Sequence, residues 1–365
     1  MDMDMDMDMD MDMYKIICVS GLLAVTAILS GCEQPVTNSP VVSEQSALIS
    51  VTVENYNNAE AARNFRNWAK LGGNNKLVHL KKLSPVGPDA PTIRMNLDTL
   101  YSVGVFKNTG NLTVTLPESE QFQSVMVIDD ESFNPLVVNG EGTYLIKSDA
   151  EYVMIAVRTY VADQNDQSTY DFAYTKQAGV VVTGADSSPG ASYVMPNYNQ
   201  TQLEELTQVL VDDLTASGKA YLFFNNKEQI MTPAEALHNT QSNASGWGGT
   251  VVDYSGESTF YKGSVVLSAS ECMVMNSEAP NDKYFSSLTF YDQAGYILAK
   301  GDNHISNTTW KLSKDDSLTI SMNCGDGAIN NIDTAGQDYQ YISRHYGAGK
   351  AVIDGDIDLT LTIKK

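Results

Sequence analysis

Nine consecutive residues, Arg94 to Ser102, hold the densest group of side chains that could do chemistry. They include a guanidinium on Arg94, an amide on Asn96, a carboxylate on Asp98 and a phenol on Tyr101, where a polar loop gives way to β-branched alternation. In an extended chain Asn96 and Asp98 point to the same side, so with Arg94 they could bind a cation or a small polar ligand. The structural alternative is that Asn96 and Asp98 cap the entrance of a strand while Arg94 pairs with Asp98 to hold a loop.

Two residues outside this segment are further candidates for the same site. Arg158 interrupts an otherwise apolar segment, so it is expected to lie on a sheet face open to solvent, to pair with a buried carboxylate such as Asp98, or to bind an anion. His79 lies in a loop shortly before segment 94–102 and could join that segment in space. The predicted ligand-binding residues are therefore Arg94, Asn96, Asp98, Tyr101, Arg158 and His79.

Motifs that would supply a metal site or a known catalytic centre are absent from the sequence. The four histidines, His79, His238, His304 and His345, are isolated, and no H-x-H, H-E-x-x-H or C-x-x-C pattern occurs. Neither a G-x-S-x-G nucleophile elbow nor a phosphate-binding glycine loop is present. Segment 163–171 has oxygen ligands suited to calcium but lacks the glycine and final glutamate of an EF-hand, so it is predicted to be a solvated loop. We expect no metal and no cofactor, and we assign no catalytic residue.

The elements that must position these residues are mainly β-strands. Apolar segments are short and separated by turn residues, which leaves no room for helical crossovers and predicts antiparallel sheets. In the first half the predicted strands are 100–106, 112–116, 121–129, 136–139, 143–147, 152–161 and 180–183. In the second half they are 251–254, 259–268, 272–275, 284–291, 296–299, 317–323, 339–346 and 357–363. The predicted fold is mainly β, with two antiparallel β-sandwich or jelly-roll-like domains and a few helices at the N-terminus and between the domains.

Three helices are predicted around these strands. Residues 53–71 carry an apolar stripe at helical spacing, which indicates a face packed on a sheet, and two glycines end it. Thr201 and Glu204 form the pattern of a capping box at the start of a second helix. Thr232 and Glu235, with proline at the first helical position, mark the start of a third.

The first 47 residues resemble processing and anchoring segments. Residues 1–12 are six Met-Asp pairs, and because a secretion signal begins with positive charge, translation is expected to start at Met13. Residues 16–29 form a hydrophobic segment too short to span a bilayer, which ends in a lipobox-like Leu-Ser-Gly-Cys with Cys32 as the lipidated residue. We therefore predict a signal peptide over residues 1–31 and a lipidated, flexible tether over residues 32–47. Glu33 in place of an aspartate favours the outer membrane, facing the periplasm.

Two cysteines, Cys272 and Cys324, remain in the second half, both after predicted strands. In an oxidising compartment they could form a disulfide. The alternative is two separately buried thiols.

The charge of the chain limits its partners. The net charge is −22, and residues 1–31 account for five of those negative charges through six aspartates and one lysine, which leaves −17. A surface this acidic repels phosphate backbones, so we predict no nucleic-acid partner. The predicted partners are the membrane, through the lipid anchor, and a small-molecule ligand. Because β-sandwiches expose strand edges, a second copy of the chain is a further candidate.

Residues 94–102 form the string R-x-N-x-D-T-L-Y-S, which resembles the signature of bacterial proteins with a DUF1254 domain followed by a DUF1214 domain. Residues 152–158 extend the resemblance to the first domain, and residues 290–296, 316–320 and 341–346 resemble the second. The resemblance implies a DUF1254-like β domain with an N-terminal helix over residues 48–190, a helical connector over 191–249 and a DUF1214-like β domain over 250–365. The family has no settled biochemical activity, so the resemblance implies architecture rather than a reaction.

Three functions are consistent with these observations. The first, our working hypothesis, is an accessory envelope lipoprotein that binds a small polar or saccharide-like ligand near Arg94. The second is a periplasmic hydrolase of an ester or glycan that uses Asp98 with His79 or Tyr101 as acid/base groups. The third is a structural protein that assembles through its β-sandwiches.

Overall fold

A computed structural model of the protein describes residues 47–186, 188–246 and 257–365. The predicted signal peptide, the lipidated Cys32, the tether up to residue 46 and the strand predicted at 251–254 lie outside these residues. Within the described ranges, no helix is both long and apolar enough to cross a membrane.

The alternating apolar residues of the first half pair into two antiparallel sheets. The strands are β1 (Val78–His79), β2 (Thr99–Lys107), β3 (Thr113–Leu116), β4 (Gln123–Asp129), β5 (Leu136–Asn139), β6 (Gly142–Leu145), β7 (Tyr152–Tyr160) and β8 (Val181–Thr183). The larger sheet has the order β1-β2-β7-β4-β5 and the smaller has the order β6-β3-β8. Val114 from the smaller sheet and Ile155 from the larger belong to one apolar core, so this half is a β-sandwich.

The outer face of the larger sheet is covered by helix α1 (Tyr56–Trp68). Phe65 and Trp68 of this helix share a buried cluster with Val103 and Met154 of the sheet. The apolar stripe in the sequence reflects the fact that one face of α1 is buried against the sheet while the other face is exposed to solvent. The helix predicted over residues 53–71 and its packing on a sheet are therefore confirmed.

The second half forms another sandwich of two sheets. Its strands are β9 (Thr259–Gly263), β10 (Met273–Glu278), β11 (Phe285–Tyr291), β12 (His304–Ser306), β13 (Ser317–Met322), β14 (Asn331–Ile332), β15 (Gln340–Tyr346) and β16 (Thr362–Lys364). One sheet has the order β12-β11-β15-β9 and the other β14-β13-β10-β16, and only the short β13–β14 pair is parallel among the described strands. Leu288 and Phe290 share a core with Ile320 and Met322 of the facing sheet. The predicted mainly β fold with two sandwiches is confirmed.

Helices α3 (Gln200–Ser217) and α4 (Pro233–Ser245) lie between the two halves of the chain, as predicted. The capping box at Thr232 opens α4. Helix α3 instead begins after Asn199, whose side chain accepts a hydrogen bond from the backbone N–H three residues later. The capping box predicted at Thr201 is therefore wrong.

Segment 163–171, predicted to be a solvated loop, contains the start of helix α2 (Gln167–Ala178). Asp166 caps this helix by accepting a hydrogen bond from the N–H of Ser168 at 2.8 Å. Within α2 only Ala173 and Gln177 are buried, so the sequence has no apolar stripe that would mark it as a helix.

The alternation over residues 357–363 predicts a long closing strand, and this prediction is wrong. Only Thr362–Lys364 pairs, as β16 at the edge of its sheet. A turn at residues 359–360 breaks the alternation, so that Leu359 is buried in the core whereas Leu361 and Ile363 are 67% and 63% exposed. The last helix, α5, is a single turn over Lys350–Ile353.

Two local features of the scaffold are a disulfide in the second half and a close backbone contact at Gly104 in the first. Of the alternatives left open for Cys272 and Cys324, the structure contains the disulfide, which lies at the neighbouring ends of β10 and β13. On β2, Gly104 lets the chain before β1 pass close by, since a Cβ there would lie 2.2 Å from the carbonyl oxygen of Lys76.

The two sandwiches meet across a shared aromatic cluster. Phe122 and Tyr160 from the first half pack with Phe285 and Tyr346 from the second. The rings of Phe285 and Tyr346 stack with centroids 4.1 Å apart, and Tyr160 stacks on Phe285 at 4.5 Å. Residues 46–365 therefore form one unit. Leu97, which lies within segment 94–102, belongs to this interface.

Candidate functional site

The backbone at Arg94 is held in an unusual conformation by the second half of the chain. Arg94 has a φ of 56°, in the left-handed region that non-glycine residues seldom occupy. Its N–H donates to the carbonyl oxygen of Gly295 at 2.8 Å, and its own carbonyl oxygen accepts a hydrogen bond from Nη2 of Arg344 at 2.6 Å. Such conformations persist when the surroundings determine them, and they concentrate at functional sites.

The predicted ion pair between Arg94 and Asp98 is wrong. Arg94 donates from Nη1 to the carbonyl oxygen of Ser245 at 2.7 Å and from Nη2 to Oε1 of Gln340 at 3.4 Å. Both partners are neutral, and across the described ranges no carboxylate pairs with Arg94. The positive charge of Arg94 is therefore not balanced by an acid from that part of the chain.

Asn96 acts as a cap for the entrance of β2, the structural role weighed for it in the sequence. Its Oδ1 accepts hydrogen bonds from the N–H of Asp98 at 3.2 Å and from the N–H of Thr99 at 3.1 Å. Its Nδ2 donates to the hydroxyl of Tyr346 at 2.6 Å. Asn96 thereby also fixes a tyrosine of the second sandwich.

Asp98 ties the entrance of β2 to the facing sandwich. Its Oδ2 accepts a hydrogen bond from Oγ of Ser287 on β11 at 2.6 Å, and its Oδ1 lies 2.7 Å from Nε2 of His304 on β12. The other ring nitrogen of His304 lies 3.2 Å from Nε2 of Gln164. The alternative pairing of Asp98 with Arg158 is therefore also wrong. Because Asp98 joins the entrance of β2 to two strands of the second sandwich, we interpret this group as a structural clamp.

Arg158, on β7, reaches across the interface to two tyrosines. Its Nη1 donates to the hydroxyl of Tyr261 at 2.5 Å, and its guanidinium carbon lies 5.9 Å from the centre of the Tyr346 ring. In the β2–β7 register Arg158 is opposite Tyr101. The cation that interrupts this apolar strand is thus directed at aromatic groups of the second sandwich.

His79 lies on β1, apart from these groups. Its Nδ1 is 2.8 Å from Oγ of Ser102, and burial lowers the pKa of its imidazole, which favours the neutral form. No hydrogen bond joins Asp98 to His79 or to Tyr101 in the part of the chain that the structure describes. His79 thus meets segment 94–102 at its last residue, whereas the acid/base pairs of Asp98 with His79 or Tyr101 do not form among the described residues.

Four of the six predicted ligand-binding residues, Arg94, Asn96, Tyr101 and Arg158, line one cavity of about 60 Å³ between the sandwiches. We call it the arginine cavity. The second sandwich adds Arg344, whose Nη1 is buried and has no hydrogen-bond partner within the described part of the chain. The cavity is also lined by the tyrosines Tyr221, Tyr261 and Tyr346. Among its described lining residues there is no aspartate or glutamate, so it is a positively charged, aromatic hollow.

The charge state of the arginine cavity follows from burial. Burial opposes the charge of Arg344, but the neighbouring tyrosines outweigh it, so the pKa of Arg344 is raised and the guanidinium stays protonated. Burial also raises the pKa of Tyr101, although Arg158 and Arg344 oppose that rise. Burial raises the pKa of Tyr221 in the same way. Tyr101 and Tyr221 are therefore neutral at physiological pH and can donate hydrogen bonds.

Asp98 and His304 line a different hollow, an open cleft of about 1580 Å³. Its walls are mostly polar and include Asp163, Asp302 and Asp326. No group of three or more histidine, cysteine, aspartate or glutamate side chains is arranged to hold a metal ion within the residues described. The cleft is large enough for a saccharide, but the residues at its floor are already paired with one another.

Arg344, Tyr261 and Tyr346 were outside the sequence-based prediction. Arg344 carries the same signal as Arg158, since it is a cation within a strand whose neighbours two positions away, Ile342 and Tyr346, are apolar or aromatic. What the sequence does not contain is the register that sets Arg344 opposite Tyr261 on β9. The partners of the cavity could therefore be found only from the strand pairing.

The fold and the cavity together define a mainly β protein of two packed sandwiches with an arginine-lined hollow between them. No family model matches the chain, and no curated protein matches it. Among solved structures the chain is similar to the VPA0106 protein from Vibrio parahaemolyticus, with 14% identity, a TM-score of 0.59 and coverage of 86% of this chain and 98% of that one. An uncharacterised protein from Burkholderia cenocepacia matches with 14% identity and a TM-score of 0.47 over 85% of this chain and 88% of that one. The likeness to the Vibrio protein shows a common fold alone.

Proposed function

We propose that the protein is a bacterial envelope lipoprotein of the DUF1254/DUF1214 type that binds a small oxyanion, such as phosphate or a short carboxylate, in the arginine cavity. The observation that carries the proposal is the buried Nη1 of Arg344, which has no hydrogen-bond partner among the residues that the structure describes. An unpaired buried donor on a charged group costs free energy, and an anion in the cavity removes that cost.

The neighbouring groups supply further complementarity to an anion. Arg94 has only neutral hydrogen-bond partners among the residues described, and Arg158 is a third guanidinium that lines the same cavity. The hydroxyls of Tyr261 and Tyr346 accept hydrogen bonds from Arg158 and Asn96, so each has its own proton left to donate. Planar guanidinium groups match the oxygens of carboxylates and phosphates in a forked geometry.

The size of the cavity selects among polar ligands. A buried water needs about 10–15 Å³ by the same measure, so 60 Å³ has room for about five water-sized groups. Phosphate, sulfate and acetate are of this size, whereas a saccharide is larger. The binding hypothesis drawn from the sequence is therefore narrowed here to a small anion.

The location proposed for this function depends on the N-terminal segment. The lipobox-like sequence that ends at Cys32 supports lipidation, and Glu33 supports transfer to the outer membrane. A periplasm-facing anchor gives the protein access to small anions that cross the outer membrane. Mass spectrometry of the mature N-terminus tests this part separately, since a Cys32 without fatty acid would contradict it.

Thermal unfolding of the purified full-length protein tests anion binding. Phosphate, sulfate or acetate is added at constant ionic strength, with chloride as the reference. An anion at 100 times its Kd stabilises the native state by about 2.7 kcal/mol, which corresponds to a rise in Tm of about 5 °C for a protein of this size. We expect at least one oxyanion to give a saturable rise of this order.

Two arginine variants make the test specific. Arg344→Met should abolish the oxyanion-dependent rise, and its stability in chloride is measured separately because the change also removes the hydrogen bond to the carbonyl oxygen of Arg94. Arg66→Met, on α1 and not among the lining residues, should keep the rise. An equal rise in all three proteins, or none with any oxyanion, contradicts the proposal.

A further inference from the structure

The two faces of strand β15 carry different chemistry. Side chains alternate along a strand, and Arg344 and Tyr346 point into the arginine cavity. Ser343 and His345 therefore point to the opposite face, toward the second sheet of the C-terminal sandwich. There they line a separate pocket of about 210 Å³. No motif in the sequence marks these two residues as a functional pair.

Ser343, His345 and Asp282 form a continuous chain of hydrogen bonds. Oγ of Ser343 lies 2.6 Å from Nε2 of His345, and Nδ1 of His345 lies 2.7 Å from Oδ2 of Asp282. Asp282 is oriented in turn by Oγ of Ser286, which donates to its Oδ2 at 2.6 Å, and by the N–H of Gly349, which donates to its Oδ1 at 3.0 Å. A carboxylate thus holds the imidazole, and the imidazole holds a serine hydroxyl, in the arrangement that activates a nucleophile.

The walls of the pocket indicate what could reach the serine. They are largely apolar, with the side chains of Phe260, Val352, Ile353, Ile357 and Leu359. At about 10–15 Å³ per water-sized group, 210 Å³ accommodates a short acyl chain and its ester oxygen, but not a long fatty acid.

Lys262 provides positive charge at the same place. It is directly opposite Ser343 in the β9–β15 register and also lines the pocket. Its Nζ donates to Oδ2 of Asp358 at 2.6 Å, which fixes the ammonium at the pocket wall while leaving it further protons to donate. Such a fixed donor stabilises negative charge that develops on a carbonyl oxygen.

We propose that this pocket is a hydrolytic site for small carboxylic esters with a short apolar acyl group, and that Ser343 is its nucleophile. Oγ of Ser343 attacks the carbonyl carbon as its proton passes to Nε2 of His345, and the carbonyl π electrons move onto the oxygen beside Lys262. Collapse breaks the bond to the alcohol oxygen, which leaves with the proton from His345. Water then adds to the acyl-serine, gives a proton to His345, and releases the carboxylic acid as Oγ recovers that proton.

This site is independent of the proposed anion cavity, since the two lie on opposite faces of β15 and share no lining residue. Failure of one proposal therefore leaves the other standing. If the hydrogen bonds among Ser343, His345 and Asp282 serve only to stabilise the fold, Ser343 should not react with an ester. The experiment must therefore measure the reactivity of Ser343 separately from the stability of the protein.

Covalent labelling of the full-length protein is the decisive experiment. The protein is treated with phenylmethylsulfonyl fluoride and with a short-chain alkyl fluorophosphonate, and the site of the adduct is found by peptide mass spectrometry. We expect one adduct per chain, on Ser343. Ser343→Ala and His345→Gln should remove it. Ser124→Ala should retain it, because Ser124 is a buried serine on β4 of the first sandwich and does not line this pocket.

Ester turnover supplies a second measurement. We expect hydrolysis of 4-nitrophenyl acetate or butyrate to fall by at least about 100-fold in Ser343→Ala, with little change in Ser124→Ala. Circular dichroism and Tm confirm that each variant is folded. The proposal is overturned if folded wild-type protein gains no adduct on Ser343, if labelling persists unchanged in Ser343→Ala, or if ester hydrolysis is the same in both proteins.

Discussion

Replacing Asp98 with alanine tests whether this residue clamps the two sandwiches together. Asp98 is 3% exposed, and its two carboxylate oxygens contact Ser287 and His304. Asp98 immediately precedes β2 of the first sandwich, whereas its partners lie on β11 and β12 of the second. Asp98→Ala therefore removes two hydrogen bonds that cross the interface and leaves both partners in place.

The size of the effect can be worked out from the exposure of each partner. Ser287 is fully buried, so its hydroxyl loses an acceptor that water cannot replace, at a cost of about 1–3 kcal/mol. The side chain of His304 is 11% exposed at the wall of the open cleft, so it regains contact with water and its loss is about 1 kcal/mol. We expect Asp98→Ala to lower the free energy of unfolding by about 2–4 kcal/mol in total.

Urea unfolding at neutral pH, followed by tryptophan fluorescence, measures this change. Asp213→Ala is the matched control, because Asp213 is exposed on α3 and such a change is expected to stay within about 0.5 kcal/mol. Since Asp98 does not line the arginine cavity, the oxyanion-dependent rise in Tm should survive in Asp98→Ala. A variant as stable as the control would refute the clamp, and loss of the oxyanion effect in a stable variant would assign Asp98 to the binding site.

Three further predictions concern the scaffold. Reducing the Cys272–Cys324 disulfide, whose cysteines are 52 residues apart, should lower the free energy of unfolding by about 4 kcal/mol, and an unchanged Tm in reductant would contradict this. Gly104→Ala places a Cβ 2.2 Å from a backbone oxygen and should cost about 2 kcal/mol or more in urea unfolding, whereas Gly190→Ala, with no atom within 4 Å, should be neutral. Burial raises the pKa of Asp129 to about 7, above an unfolded value of about 3.9. The folded state therefore binds the proton of Asp129 more tightly than the unfolded state does. The stability that this proton contributes is present at about pH 4 and is lost as the pH rises to about 7. Relative to wild type, Asp129→Asn should gain up to about 4 kcal/mol across that window, and parallel curves of stability against pH would show the reasoning to be wrong.

Most of the fold can be predicted because its signals are local. Strand β7, predicted over residues 152–161, spans Tyr152–Tyr160, since an apolar run bounded by turn residues identifies a strand covered on both faces. The capping box at Thr232 and the capping role weighed for Asn96 each involve residues within three positions of one another. Patterns of this kind need no knowledge of which strands become neighbours.

The candidate sites could be predicted only in part, because their members come from distant strands. Arg158 and Arg344 each interrupt an apolar strand, but the sequence does not show that both face one cavity. His345 and Asp282 are 63 residues apart, and Asp98 and His304 are 206 apart. The predicted pairing of Asp98 with Arg94 is wrong because Asp98 instead contacts Ser287 and His304 of the second sandwich. Long-range strand register decides these contacts, and it is not encoded in any short motif.

Strand β15 can carry two sites because its register is fixed on both edges. It pairs with β11 over its whole length and with β9 over most of it, so a slip by one residue would expel Tyr341 from the core. Buried polar groups at the centre of a sandwich lower the stability of the fold unless they have hydrogen-bond partners in the protein or in a bound ligand. The two faces differ in this respect: Ser343 has a hydrogen-bond partner within the protein, whereas Arg344 has a buried donor with no partner among the described residues. Under our two proposals, an anion supplies the missing partner of Arg344, and the reactivity of Ser343 depends on which ester can enter its pocket.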